Sequence, residues 1–126
     1  MIKHVAFFIF PVTDMARSRQ FYEEVLGLKY AGSFMDQGNW VEYDINGVTL
    51  GISDRLPAPS GSGGGIAFEV DDLDAEVKRL TDLGVNWLFP PFESPICRGA
   101  VFSDPDGNTI GLHQFKAGQD ASNESA

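Results

Sequence analysis

Apolar and polar positions fall into two rounds of the same order. Each round opens on a short apolar run, residues 5–10 in the first and 66–70 in the second. An acidic step follows, Thr13-Asp14 or Asp71-Asp72, with side chains suited to accept from the unpaired amides of a helix's first turn. In the first round Met15, Phe21, Tyr22, Val25 and Leu26 then recur at helical spacing. The pattern predicts one helix from the Thr13-Asp14 step to about Leu26, stopped by Gly27, and another from Asp71 or Asp72 to near Leu83-Gly84. Three strands complete each round: 28–35, 40–44 and 48–53, then 85–89, 98–103 and 108–114. Asn46-Gly47 is the turn of the first hairpin. Asp104-Pro105-Asp106-Gly107 turns the second, with Pro105 presetting the first central position and Gly107 free to take positive φ. Pro90-Pro91 is expected to halt the strand before it, because proline has no amide donor.

The two rounds align residue by residue. With Gly47 set on Gly107, Val48-Thr-Leu-Gly-Ile52 falls on Asn108-Thr-Ile-Gly-Leu112, Asp44 on Asp104 and Val41 on Val101. Upstream, Phe8-Ile-Phe-Pro-Val-Thr-Asp-Met15 falls on Ile66-Ala-Phe-Glu-Val-Asp-Asp-Leu73. An internal duplication of a βαβββ unit explains this and outranks any local reading. The expected class is α+β, with unit one at 1–53, a linker at 54–64 containing Pro57, Pro59 and a Ser/Gly run, and unit two at 65–115. Residues 116–126 are small and polar and read as a disordered tail.

Composition narrows the partners. A chain of 126 residues is long enough for a real core. Its formal net charge of −9 argues against nucleic acid and anionic membranes. Cys97 is the only cysteine, so no internal disulfide forms, consistent with a reducing, cytoplasmic setting. The apolar start resembles a signal peptide only superficially, because the run is short and Pro11 and Asp14 follow it. No run approaches the roughly 20 apolar residues of a membrane span.

Paired βαβββ units, Phe21-Tyr22 followed by Leu26-Gly27, and Asp104-Pro-Asp-Gly-Asn108 together resemble the vicinal oxygen chelate superfamily. That group contains glyoxalases, bleomycin resistance proteins and extradiol dioxygenases. The resemblance covers residues 1 to about 115. It implies two units whose mixed sheets curl around an open cavity with helices outside, and often a homodimer. It does not by itself imply one activity. Metal-using members carry ligands in the first and last strands of each unit, and those positions fall here on Phe7, Gly51, Gly65 and Gly111. None has a side chain that coordinates a cation, so no metal cofactor is expected. His4 lies on the opposite face of the strand from Phe7 and reads as a surface or helix-packing residue.

If those four positions face the cavity, alternation places others beside them. Ile9 joins Phe7, and Glu69 joins Gly65. Thr109 and His113 join Gly111. Val41 and Tyr43 suit the helix side, leaving Trp40 and Glu42 inward. The repeat alignment then turns Arg98, Ala100 and Phe102 inward and Cys97 toward the helix. The expected cavity has a wall of Phe7, Ile9, Trp40 and Phe102, with Glu42, Glu69, Arg98 and His113 as its polar groups, and suits a small organic molecule.

Two function classes follow. One is a binding or resistance-type protein that sequesters its ligand without chemistry. The other is a metal-independent isomerase or lyase with Glu42 or His113 as general base and Arg98 as anchor for a carboxylate or oxyanion. A metal enzyme with relocated ligands at Glu42, Glu69 and His113 ranks third. Arg98 also admits a plainly structural role, as a counter-ion to Glu42 or Glu69.

Overall fold

The computed structural model of the chain describes residues 1, 3, 5–34, 38–56 and 65–118. The chain divides into two compact units, residues 1–61 and 62–126. Each carries one four-stranded mixed sheet and one helical segment, an α+β architecture with no closed barrel.

Unit one runs β1 (Phe8–Pro11), α1 (Met15–Gln20), β2 (Lys29–Phe34), β3 (Trp40–Ile45) and β4 (Val48–Ser53). Its sheet order is β1-β4-β3-β2, with β1 parallel to β4 and the other pairs antiparallel. Unit two repeats this with β5 (Gly65–Glu69), α2 (Leu73–Asp82), β6 (Asn86–Glu93), β7 (Cys97–Ser103) and β8 (Thr109–Phe115), in the order β5-β8-β7-β6. Each helix is capped by the second residue of the acidic step that offered two candidates, Asp14 and Asp72. Asp14 Oδ1 accepts from the Arg17 amide and Asp72 Oδ1 from the Ala75 amide, each at 3.1 Å.

The first helix departs from regularity. After Gln20 it widens into a π-helical turn, Phe21–Val25, in which the Leu26 amide reaches back to the Phe21 carbonyl at 2.9 Å. Within that turn Tyr22 stacks on Tyr43 of the sheet, ring centroids 5.9 Å apart. Val12, Tyr22, Val41, Tyr43, Leu50 and Ile52 are buried around this contact and form the core of unit one. Leu73, Leu80, Ala100, Phe102 and Ile110 do the same in unit two.

Two boundaries differ from expectation. The first strand begins at Phe8, not at residue 5. β6 does not stop at the prolines but continues through Pro90-Pro91 to Glu93. It is an edge strand, paired only with β7, and its register jumps from Phe89–Val101 to Phe92–Gly99 across the prolines. Missing amides are tolerated at such an edge irregularity. His4, linker residues 57–64 and tail residues 119–126 lie outside the described residues. No described helix is long and apolar enough to cross a membrane.

The hairpin turns decide which side chains share a face. In unit one Asn46 (φ 50°) and Gly47 (φ 90°) both take left-handed backbone and join Ile45 to its partner Val48, a two-residue hairpin turn of the kind that matches strand twist. In unit two Pro105 cannot take positive φ. The loop therefore closes as a turn in which the Gly107 amide donates to the Asp104 carbonyl at 3.1 Å, with Gly107 alone left-handed (φ 89°). The Asp104 amide bonds the Asn108 carbonyl at 2.9 Å, and Ser103 pairs with Thr109. This loop holds one residue more between bonded partners than the first. A change of one residue flips every side chain of the strand before it. Glu42 pairs with Gly51, yet Val101, not Phe102, pairs with Gly111.

Candidate functional site

On the face of the unit-one sheet turned away from its helix, one row of paired residues runs Gly32, Glu42, Gly51, Ile9. The next row begins Phe34, Trp40. Glu42 thus stands between two glycines, and larger neighbours lean over both. A Cβ on Gly51 would lie 2.8 Å from Ile9 Cδ1, and one on Gly32 would lie 3.0 Å from Phe34 Cζ. Trp40 Nε1 donates to Glu42 Oε2 at 2.9 Å. The Phe7 ring meets the Trp40 indole edge-on, 5.6 Å between centroids and 83° between planes. Phe7, Ile9, Trp40 and Glu42 are therefore gathered on one face. Phe34 belongs with them and was missed. Its signal was the period of two running from Gly32, masked by an irregularity in the pairing between Tyr30 and Gly32.

Unit two carries a comparable row, Phe92, Gly99, His113, Glu69. Glu69 Oε1 lies 2.6 Å from His113 Nδ1, and Glu69 Oε2 accepts from the Phe115 amide at 2.9 Å. The carboxylate so bound fixes the ring's orientation. The His113 ring also meets Phe115 edge-on, with centroids 4.5 Å apart. Phe92 covers Gly99, where a Cβ would sit 2.6 Å from the Phe92 Cζ. Gly65 and Gly111 share this face with Glu69 and His113.

Arg98 and Phe102 are not on that face, contrary to expectation. Arg98 pairs with Gln114, and Phe102 with Ile110, on the helix side. Arg98 Nη2 donates to Asp74 Oδ1 on α2 at 2.7 Å and its Nε lies 3.7 Å from Glu93 Oε1. The Arg98 guanidinium holds the Asp74 carboxyl below its usual range, and Lys116, then Arg98, do the same for Glu93. Arg98 is a structural counter-ion, but to Asp74 and Glu93 rather than to Glu42 or Glu69. Phe102 is fully buried against Trp87, centroids 5.3 Å apart. Ala100 is likewise core. Cys97 moves the other way, onto the face away from the helix opposite Phe115, with its thiol 3.1 Å from the Ser94 hydroxyl. All four reversals have one cause, the longer loop at Pro105.

Phe7, Gly51, Gly65 and Gly111 offer no side-chain donor to a metal ion. Glu69 and His113 supply two donors, short of the three that a catalytic zinc site takes from protein. Among the described residues no three His, Cys, Asp or Glu side chains form a group that could hold a metal.

The family model for the Glyoxalase/Bleomycin resistance protein/Dioxygenase superfamily matches residues 1–112. Metallothiol transferase FosB of Bacillus licheniformis is 32% identical over 112 residues, 83% of this chain and 71% of that protein. The crystal structure of TnmS3, an antibiotic binding protein from Streptomyces sp. CB03234, superposes with a TM-score of 0.78 at 37% identity, covering 91% of this chain and 98% of that one. The fosfomycin resistance protein FosX of Listeria monocytogenes shares the fold, with a TM-score of 0.76 at 20% identity over 93% of this chain and 97% of its own.

Proposed function

The chain belongs to the Glyoxalase/Bleomycin resistance protein/Dioxygenase superfamily, and from that premise we propose that it binds a small organic molecule, of the antibiotic kind, without transforming it. The observation that carries this reading is the aromatic corner of unit one, where Phe7 and Trp40 stand beside Glu42 on the face away from the helix. Rings of this kind offer a rigid apolar surface, and one well-placed polar group orients what lies on them. TnmS3, similar over nearly the whole chain, binds an antibiotic.

Titration of a Trp87→Phe variant with flat aromatic antibiotics tests the proposal, since Trp40 is then the only indole. Trp87 is engaged on the helix side with Phe102 and the Thr81 hydroxyl. Saturable quenching at micromolar concentration, unchanged by a chelator, is expected, with the molecule recovered intact by mass spectrometry. Absence of quenching across the panel would overturn the proposal.

The Glu69–His113 pair supports a second reading, a metal-independent isomerase or lyase with His113 or Glu42 as base. Arg98 cannot serve it as anchor from the helix side. A recovered product of altered structure would favour this reading.

We also propose a homodimer. Leu88 and Phe89, 44% and 61% exposed, stand on the edge strand β6, the kind of edge that a second copy covers. Sedimentation equilibrium is expected to return twice the chain mass at micromolar concentration, and a monomer throughout would refute it.

A further inference from the structure

His113 of unit two is held as a base would be. Its Nδ1 lies 2.6 Å from Glu69 Oε1, while Glu69 Oε2 is fixed by the Phe115 amide at 2.9 Å. A ring nitrogen turned to a carboxylate carries the proton, so Nε2 has the lone pair whenever the ring is neutral. The Phe115 ring meets the imidazole edge-on and restricts its rotation. The side chain remains 25% exposed, so a small molecule can reach it. The row beside it, Phe89, Val101, Gly111 and Ala67, is wholly apolar. Phe92 stands over Gly99 in the row of His113 itself.

These surroundings limit what such a base acts on. Removing a proton leaves a negative charge behind. Among the described residues no Lys or Arg stands on this face to receive it, since Arg98 is paired with Asp74 and Lys116 with Glu93. The substrate must therefore spread the charge through its own conjugation. A substrate carboxylate would meet the like charge of Glu69. We propose that His113 is the general base for proton transfer next to the carbonyl of an uncharged, flat, conjugated ketone whose rings lie on Phe89 and Phe92. This rests on the second reading above, an isomerase or lyase, and adds the base, its positioning residue and the substrate class. Nε2 takes the α proton, and the C–H electron pair passes into the enolate. The imidazolium then returns the proton to the far end of the conjugated system. No electron is gained or lost, and the ring ends as it began. Glu69 is the positioning residue: it fixes the tautomer and steadies the imidazolium.

The test follows, by NMR in heavy water, exchange of the α protons of 2-tetralone, with its 6-carboxylate as the charged probe of the same shape. Wild type is expected to exceed an equal concentration of free imidazole by about tenfold or more on 2-tetralone, and to act far less on the carboxylate. His113→Gln is expected to lose the acceleration. Glu69→Gln is expected to lower kcat by about tenfold or more with KM unchanged, a split that a merely structural role would not give. In a His4→Gln chain His113 is the only imidazole, so its carbethoxylation by diethyl pyrocarbonate should repeat the loss in a protein already folded. Equal rates on the two probes would overturn the substrate class. Acceleration that survives in His113→Gln but not in Glu42→Gln would overturn the base assignment and leave the second reading standing. No acceleration of either probe would overturn the proposal, and with it the second reading if the antibiotic panel is also recovered intact.

Discussion

Phe102→Ala is expected to destabilise the protein by about 3–5 kcal/mol, the usual cost of emptying a buried phenylalanine site. Phe102 is fully buried, and the Trp87 edge rests on it. The same core holds Leu73 and Leu80 of α2 and Ile110 of β8, so few neighbours can collapse into the hole. Chemical denaturation of wild type and variant measures the loss. Were Phe102 the wall of a ligand site, as alternation carried through the repeat suggested, removal would lower affinity and leave stability nearly unchanged. A loss under about 1 kcal/mol would therefore contradict the helix-side placement. If the alanine variant does not fold, Phe102→Leu offers a milder measure, expected to fold with a smaller loss and with ligand affinity unaltered.

Glu23→Ala is expected to destabilise unit one by about 1–3 kcal/mol at neutral pH, chiefly because it strips a buried phenol of its acceptor. The Tyr43 hydroxyl donates to Glu23 Oε2 at 2.9 Å, and Arg19 Nε donates to the same oxygen at 2.6 Å. The Arg19 part is small, since that side chain is 38% exposed and water screens the pair. The effect depends on pH with a definite sign. The hydrogen bond from Arg19 holds the Glu23 carboxyl below its usual range. A depressed folded-state value contributes stability that is present above the unfolded value of about 4.3 and lost as pH falls through the folded one. The gap between wild type and variant should therefore be flat from pH 5 to 8 and narrow below about pH 4. Tyr43 acts at the other end. Burial, then its bond to Glu23, pushes its phenol well up, so its contribution is present below the unfolded value of about 10 and lost on the way to stronger alkali. Denaturation midpoints across pH 3–11 check both limbs; a gap that widens on acidification would refute the account.

The duplication, the capping aspartates, the order of elements and the Asn46-Gly47 turn were all legible in the chain, because each is a local matter. A cap needs an oxygen three residues before an amide. A hairpin turn needs two residues that accept positive φ, and Asn46 and Gly47 do so. That Trp40 and Glu42 share one face of unit one, opposite buried Val41 and Tyr43, followed from a period of two. The widening of the first helix at Phe21 left no comparable mark. It answers to the stacking of Tyr22 on Tyr43, a contact between residues distant in the chain.

Unit two shows where sequence alone ran out. Its strands were placed well, yet Arg98, Ala100, Phe102 and Cys97 were each assigned to the wrong face. Aligned repeats preserve residue order but not register, and register is set by how the loop closes. Pro105 held the signal, since a residue with fixed negative φ cannot enter a two-residue left-handed turn. The closure it imposes, with Gly107 bonding back to Asp104 and Ser103 meeting Thr109, exists only once both strands are paired. The chain by itself determined which elements form and in what order, because propensity, capping and turn chemistry act over a few residues. Tertiary structure decided which side chains meet: Arg98 with Asp74, Glu69 with His113, and Phe34 and Ile9 around Glu42. A shift of one residue between strands costs little locally, while it exchanges the whole buried face for the exposed one.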